Sequence, residues 1–272
     1  MGFFDLSSEQ KQTIIEHLED LRKSLIISVV AIIIAAVFCF SYSDQILTII
    51  VTPLTSLNER LIVTGVTEAF FVKLQLSLLG GLVLAFPIVA WSIWRFIKPA
   101  LYPHERKYVY ILFPTTLILF VTGILFSYFG ILRLILNFLI YIAGKNLETM
   151  FKVDQYVSFV MAFIIPFGLV FELPVVVFFL SKLGIITSQM LSKNRKYALL
   201  IIVTLAAVLT PGPDPISQMM MAIPVYFLYE VSIIVAKLSR PGKGRGKDNK
   251  KGSFRQGQSN DIDSESSGNE DN

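Results

Sequence analysis

The sequence predicts an all-α integral membrane protein with six transmembrane helices, and three observations lead to that fold class. First, 54% of the residues are hydrophobic and only 16% are charged, with a mean hydropathy of +0.64, whereas soluble domains carry about 25% charged residues. Second, the apolar residues are concentrated in runs close to the roughly 20 residues that cross a bilayer. Third, the basic residues cluster in alternate links between those runs. Without a basic soluble domain bearing interleaved aromatic residues, nucleic-acid binding is not expected.

The six predicted spans differ in character. In chain order they are Leu25–Tyr42, Ala69–Trp94, Tyr108–Gly130, Tyr156–Leu180, Tyr197–Leu209 and Ile216–Ala236. The fourth is predicted to kink, because Pro174 cannot donate a backbone hydrogen bond within a helix. The fifth holds only 13 residues, and we expect both the fifth and the sixth spans to be short.

Three domains are predicted around these spans. Residues 1–23 form an N-terminal amphipathic helix on the cytoplasmic side, residues 24–237 form the six-span membrane domain, and residues 238–272 form a cytoplasmic tail that is basic and then acidic. The tail is poor in apolar side chains and is expected to be disordered. The link Ser43–Glu68 contains apolar pieces that are too short to cross, and a helix along the membrane surface is expected there. The link Ile131–Gln155 is also partly apolar and is expected to be structured.

Charge fixes the orientation. With the N-terminus inside, four basic segments all face the cytoplasm, namely Arg22 with Lys23, Trp94–Lys107, Lys182–Lys196 and the tail. Cytoplasmic loops carry an excess of Lys and Arg. The predicted topology therefore has both termini in the cytoplasm.

Glu105 is the one acid of the polar link Trp94–Lys107. If Pro103 is the first residue of the next helix, Glu105 lies at its third position, where a carboxylate stabilises the helix dipole. The residue types allow either that capping role or ligand binding. Glu19 and Asp20 of the N-terminal helix are compatible with a solvated face, with Glu19 pairing Lys23.

Glu172 lies near the middle of the fourth span, where an acid costs about 2.5–3.5 kcal/mol on insertion scales. Either it stays neutral and bonds to a carbonyl freed by the kink, or it faces a polar cavity. Asp214 lies in the turn TPGPDP (Thr210–Pro215) and is compatible with capping the sixth helix.

Signals of an enzyme are absent from the sequence. Asp214 has no second intramembrane aspartate to pair with, as an aspartyl protease would need. One cysteine and two distant histidines cannot form a Cys/His metal cluster. We expect no catalytic residues, no metal and no cofactor.

Four motifs, taken together, resemble the twin-arginine protein translocase subunit TatC. They are HLEDLRKSL (17–25), FIKPALYPHERK (96–107), FELP (171–174) and TPGPDPISQ (210–218). The similarity runs in order through nearly all of Glu16–Lys237, and the tail lies outside it.

The resemblance implies a core receptor of the twin-arginine translocase. Such a subunit binds the paired-arginine signal peptides of folded precursors at its cytoplasmic face. It also organises single-span TatA/TatB-type partners for export driven by the proton-motive force, and self-association in a receptor complex is expected. The implied location is the inner (cytoplasmic) membrane, or the thylakoid membrane in a phototroph.

Residue by residue, the resemblance assigns a set of sites. For signal-peptide binding they are Glu105, Asp20, Glu19, Arg22 and Phe96; for an intramembrane polar pocket, Glu172; for partner docking, Thr210, Asp214 and Gln218; and as structural residues, Pro53 and Pro174. One departure is notable, because the family usually has Glu where this chain has the shorter Asp20, and the neighbouring Glu19 is the alternative. A proton-coupled small-solute transporter using Glu172 is the competing functional class.

Overall fold

The computed structural model describes residues 8–57, 59–100, 106–143, 150–210 and 215–239. Within these ranges the chain is almost entirely helical. The elements are α1 (Ser8–Phe40), α2 (Ser43–Thr55), β1 (Arg60–Ile62), α3 (Glu68–Ile97), a 3-10 turn (Lys98–Ala100), α4 (Arg106–Leu125), a π-helical segment (Phe126–Leu132), α5 (Arg133–Ala143), β2 (Met150–Lys152), α6 (Val153–Val170), α7 (Leu173–Lys182), α8 (Ser188–Lys193), α9 (Arg195–Leu209) and α10 (Pro215–Ser239).

Five helical stretches of the described chain are long and apolar enough to cross a membrane. They are Leu18–Phe40, Glu68–Ile97, Val109–Ile142, Val153–Lys182 and Pro215–Ser239. The predicted fifth span corresponds to α9, which has 15 residues and is therefore about 22 Å long. The prediction of a short sixth span is wrong, because α10 has 25 residues and continues through Pro224.

The N-terminal amphipathic stretch and the first predicted span form one continuous helix, α1, so the predicted boundary after residue 23 falls inside a helix. The helix α1 packs chiefly along α3. A Cβ added to Gly81 would lie 2.6 Å from the backbone N and Cα of Ala36. The two backbones thus approach closely at Gly81, as small residues permit between membrane helices.

The third predicted span extends beyond its predicted end. The helix continues from α4 through the π-helical segment and α5 to Ala143, whereas the predicted span ends at Gly130. A π-helical turn keeps the helix unbroken although its hydrogen bonds shift to wider spacing. After Gly130, Ile131–Ala143 is apolar and holds no proline, so nothing in that stretch stops the helix.

The fourth predicted span is broken, and the predicted kink is confirmed. Helix α6 ends at Val170 and α7 begins at Leu173, with Pro174 in its first turn. Proline lacks the N–H that would bond the Val170 carbonyl four residues earlier, and its ring clashes with that carbonyl. The break leaves Glu172 between two helices, while Phe163 and Phe167 of α6 are fully buried against α9 and α10.

Two three-residue strands correct the expectation of a purely helical protein. Strand β1 pairs in parallel with β2, with Arg60 opposite Met150 and Ile62 opposite Lys152. The strands come from the first and second predicted outer links, about 90 residues apart in sequence. Strands so short have no readable alternation of apolar and polar residues, which is why the sequence did not predict them.

The carboxylate of Glu68 forms hydrogen bonds with the segment that follows β1 and with the segment that follows β2. Its Oε2 accepts hydrogen bonds from the Thr64 backbone N at 2.7 Å, the Thr64 hydroxyl at 3.0 Å and the Gly65 backbone N at 3.0 Å. Its Oε1 accepts one from the Asp154 backbone N at 3.4 Å. One carboxylate therefore links the turn before α3 to the first turn of α6.

Replacing Glu68 with glutamine should lower the melting temperature of the purified protein. The variant keeps the size of the side chain but has one oxygen where the carboxylate has two, and bonds to charged acceptors are the stronger ones. Thr64→Val removes a single hydroxyl donor from the same network and should lower the melting temperature less. Equal melting temperatures for wild type and Glu68→Gln would contradict this role.

Candidate functional site

A groove of about 660 Å³ opens where α1, the end of α3 and the start of α4 meet. Its lining residues come from all three helices and from the 3-10 turn; they are Asp20, Lys23, Ser24, Ile26, Ile27, Ile88, Trp91, Ser92, Arg95, Phe96, Lys98, Pro99 and Arg106. The helical spacing explains part of this set, because Asp20, Ser24 and Ile27 follow one another on one face of α1. The lining thus combines charged side chains with apolar ones.

The structure separates the two neighbouring acids of α1. Asp20 lines the groove, whereas Glu19 is not among the lining residues and instead bonds Lys23, with Oε1 and Nζ 3.1 Å apart. Asp20 makes no ion pair with a residue of the described ranges. Arg22 is exposed and does not line the groove, because it lies about 200° around the helix from Asp20.

Phe96 is half-buried in the wall of the groove, next to Arg95. Glu105 lies outside the described residues. The residue that follows it, Arg106, is the first of α4 and lines the groove.

Glu172 lies at the break between α6 and α7, beside the Thr116 side chain of α4. Oε1 of Glu172 and Oγ1 of Thr116 are both buried; the two side chains interact with each other, but neither atom has a hydrogen bond of regular geometry to a residue that the structure describes. Polar groups buried in this way are costly unless a partner satisfies them. The sequence analysis did not single out Thr116, since a threonine inside an apolar run carries no distinctive signal.

Of the three predicted docking residues, two are described and both bond within the chain. Thr210 is buried and its hydroxyl donates to the Ala206 carbonyl at 2.6 Å. Nε2 of Gln218 donates to the Val203 carbonyl at 2.9 Å, which ties α10 to α9. Asp214 lies outside the described residues.

Pro53 has a clear structural consequence. As an imino acid within α2, it leaves the carbonyl of Ile49, four residues earlier, without its helical donor. The hydroxyl of Tyr128 donates to that carbonyl, and the hydroxyl of Tyr156 donates to the next one, Ile50, at 2.9 Å. Sequence reasoning missed both tyrosines, because their partners lie 79 and 106 residues away.

Comparison with known proteins decides the family. Residues 16–224 match the family model "Sec-independent protein translocase protein (TatC)". The chain belongs to the TatC family. A TatC protein of Carboxydothermus hydrogenoformans is 48% identical over 238 residues, which cover 88% of this chain and 98% of that protein. The TatC protein of Escherichia coli is 34% identical over 89% of this chain and 95% of its own length.

A solved TatC structure agrees with the fold. The crystal structure titled as the twin arginine translocase receptor TatC superimposes with a TM-score of 0.77 at 38% identity, covering 82% of this chain and 99% of that one. Membership of the TatC family makes this chain a multi-pass membrane protein and a component of a protein translocase. The family is one of transport components and not of enzymes.

Proposed function

We propose that this chain is the core receptor of a twin-arginine translocase and that its groove binds the paired arginines of signal peptides. The observation that carries the proposal is that Asp20 lines the groove together with Phe96 and with Arg106, the residue after Glu105. Two guanidinium groups are bound best by carboxylates that accept paired hydrogen bonds. Asp20 and Glu105 are the two carboxylates we assign to them.

This assignment is consistent with a topology of six spans and both termini in the cytoplasm, in which the groove faces the cytoplasm. The groove carries Lys23, Arg95, Lys98 and Arg106, and the positive-inside rule places such an end of the bundle in the cytoplasm. The short α9 completes the six as the fifth span, where the bilayer thins or α9 is shielded by neighbouring helices. The membrane is then the cytoplasmic membrane, from whose inner side signal peptides arrive, and residues 238–272 form a cytoplasmic tail.

We further propose that TatA/TatB-type single-span partners dock along α9 and α10. The side chains of Leu205 and Val208 on α9 are exposed by 52% and 78%, so an apolar helix can pack against them. Gln218 bonds α10 to α9, the Thr210 hydroxyl lies 4.0 Å from the Met221 sulfur of α10, and Asp214 lies between the two helices in the sequence. Glu172 and Thr116 offer a buried polar site that a polar side chain of a partner helix would satisfy.

Replacing Asp20 with asparagine should weaken the binding of a paired-arginine peptide about tenfold, since a charge-assisted hydrogen bond becomes a neutral one. Glu19→Gln is the matched control and should change the affinity by less than about twofold, because exposed ion pairs such as Glu19–Lys23 contribute little. Asp20→Glu should retain binding. The measurement is the dissociation constant of a labelled peptide, compared with the same peptide carrying two lysines.

The result that would overturn the role of Asp20 is an equal loss of affinity in Asp20→Asn and Glu19→Gln. Glu105 is tested separately by cross-linking the peptide to the loop before Arg106 in Glu105→Gln. If cross-linking were unchanged, Glu105 would not be a ligand of the arginines.

A further inference from the structure

Glu230 is an acid inside the candidate span Pro215–Ser239. It lies nine residues before the last residue of α10, which is about 14 Å along the helix. A carboxylate within a span is costly unless it has a partner. Oε2 of Glu230 bonds Nη2 of Arg195 at 2.8 Å, and its Oε1 accepts a hydrogen bond from the Tyr226 hydroxyl at 3.0 Å. Both carboxylate oxygens are therefore bonded within the chain.

Arg195 is the first residue of α9. A cation at that position is unfavourable for the helix itself, because the helix dipole is positive at its N-terminus. Glu230 is the only acid of α10, and α8 and α9 have none. Within these three helices, Glu230 is thus the one side chain that can form an ion pair with Arg195.

The length of α9 does not fix its depth in the membrane. With 15 residues the helix is about 22 Å long, whereas the hydrocarbon core is about 30 Å thick. In the proposed topology Arg195 lies at the cytoplasmic end of α9. A long cationic side chain without a partner extends toward the headgroups, which would draw α9 toward the cytoplasm. The bond to Glu230, well inside α10, opposes that movement.

Polar contacts determine how α9 and α10 are aligned along their axes. The buried contact between the two helices is apolar, and apolar side chains form no directional bonds. The directional contacts are the ion pair of Arg195 with Glu230 and the bond from Gln218 to a carbonyl of α9. The Tyr229 hydroxyl, next to Glu230, donates to the Leu191 carbonyl of α8 at 2.8 Å. One part of α10 thus holds both α8 and the start of α9.

We propose that the Arg195–Glu230 ion pair sets the depth of α9 along α10, and with it the register in which a single-span partner helix packs on α9. The inference rests on the docking surface proposed above, in which Val208 is exposed by 78%. Arg195 and Glu230 are positioning residues, because neither belongs to that apolar surface. A displacement of α9 by one helical turn, about 5.4 Å, would bring Val208 against a partner residue three or four positions away.

The test maps which partner residue lies against Val208. The full chain carries Cys39→Ser and Val208→Cys, so that its only cysteine is on α9. It is expressed in membranes with a TatB-type partner that has one cysteine at successive positions of its span. Disulfide cross-linking should peak at one partner position. Glu230→Gln and Arg195→Gln should each move that peak by three or four positions, and the exchanged pair, Arg195→Glu with Glu230→Arg, should return it.

Lys196→Gln is the matched control and should leave the peak in place. It removes the next cation along α9, which forms no ion pair with a residue in the described part of the chain. Unchanged peaks in Glu230→Gln and Arg195→Gln would overturn the inference. A shift that the exchanged pair does not reverse would overturn it too, because only an ion pair requires opposite charges at these two positions. If Glu230→Gln fails to fold, Arg195→Gln decides, since it leaves the carboxylate bonded to Tyr226.

The experiment separates this inference from the proposed function. If Val208→Cys formed no cross-link in the otherwise unchanged chain, the docking surface would be wrong and the inference with it. Cross-links that form but do not respond to either substitution would refute only the role of the ion pair. Asp20→Asn, which should weaken peptide binding, should leave the cross-linking peak where it is.

Discussion

Replacing Gly81 with alanine should lower the melting temperature of the purified protein by about 5–10 °C, the range expected when an added methyl group overpacks a tight contact. The new Cβ would lie 2.6 Å from the backbone N and Cα of Ala36 and 2.8 Å from its Cβ. Backbone atoms cannot rotate away, so α1 must move from α3. Because α1 packs chiefly on α3, the groove between them should open and peptide affinity should fall as well.

Gly130→Ala is the matched control for this prediction. Gly130 also lies in a helical segment, but the atoms nearest to its added Cβ are those of the Phe126 ring, 3.8 Å or more away. That variant should melt within about 1 °C of wild type, since ordinary van der Waals contact costs little. Adding Ala36→Gly to Gly81→Ala should restore only part of the stability, because two of the three close contacts are to backbone atoms. Equal melting temperatures for Gly81→Ala and Gly130→Ala would contradict the close approach.

Removing the hydroxyl of Tyr128 should destabilise the protein by about 0.5–1.5 kcal/mol, the usual net contribution of one hydrogen bond. That hydroxyl bonds the Ile49 carbonyl, which Pro53 leaves without a helical donor. Pro53→Ala supplies an N–H at the required position. Tyr128→Phe should therefore cost much less in the Pro53→Ala background than in the natural chain, as a double-mutant cycle of unfolding free energies would measure.

Tyr156→Phe is the internal control of this cycle. Its hydroxyl bonds the carbonyl of Ile50, whose helical donor is Leu54 and not residue 53. Pro53→Ala should leave the cost of Tyr156→Phe unchanged. If both tyrosine substitutions, or neither, were rescued by Pro53→Ala, the idea that Pro53 frees one particular carbonyl would be wrong.

The sequence predicted individual residues of the candidate site but not how they are arranged in space. The sequence placed Asp20, Glu19 and Arg22 on one helix and Phe96 in the link after the second span, because helical periodicity and apolar runs are local signals. It left Asp20 and Glu19 as alternatives. In the structure Asp20 lines the groove and Glu19 is not among its lining residues, because the packing of α1 on α3 determines which face of α1 is turned to the groove.

The fold, too, has some features that the sequence predicted and others that only the tertiary structure shows. Composition alone determined that this is a helical membrane protein, because crossing a bilayer requires long apolar runs. Pro174 determined the break at Glu172, because a proline ring disrupts the helical turn that precedes it. Tertiary structure decided that the third long helix runs on to Ala143, that β1 pairs with β2, and that Glu68, Tyr128 and Tyr156 tie distant segments together. The strand pairing and the bonds of Glu68, Tyr128 and Tyr156 depend on partners 79 to 106 residues away, and no local pattern in a sequence records which distant groups will meet.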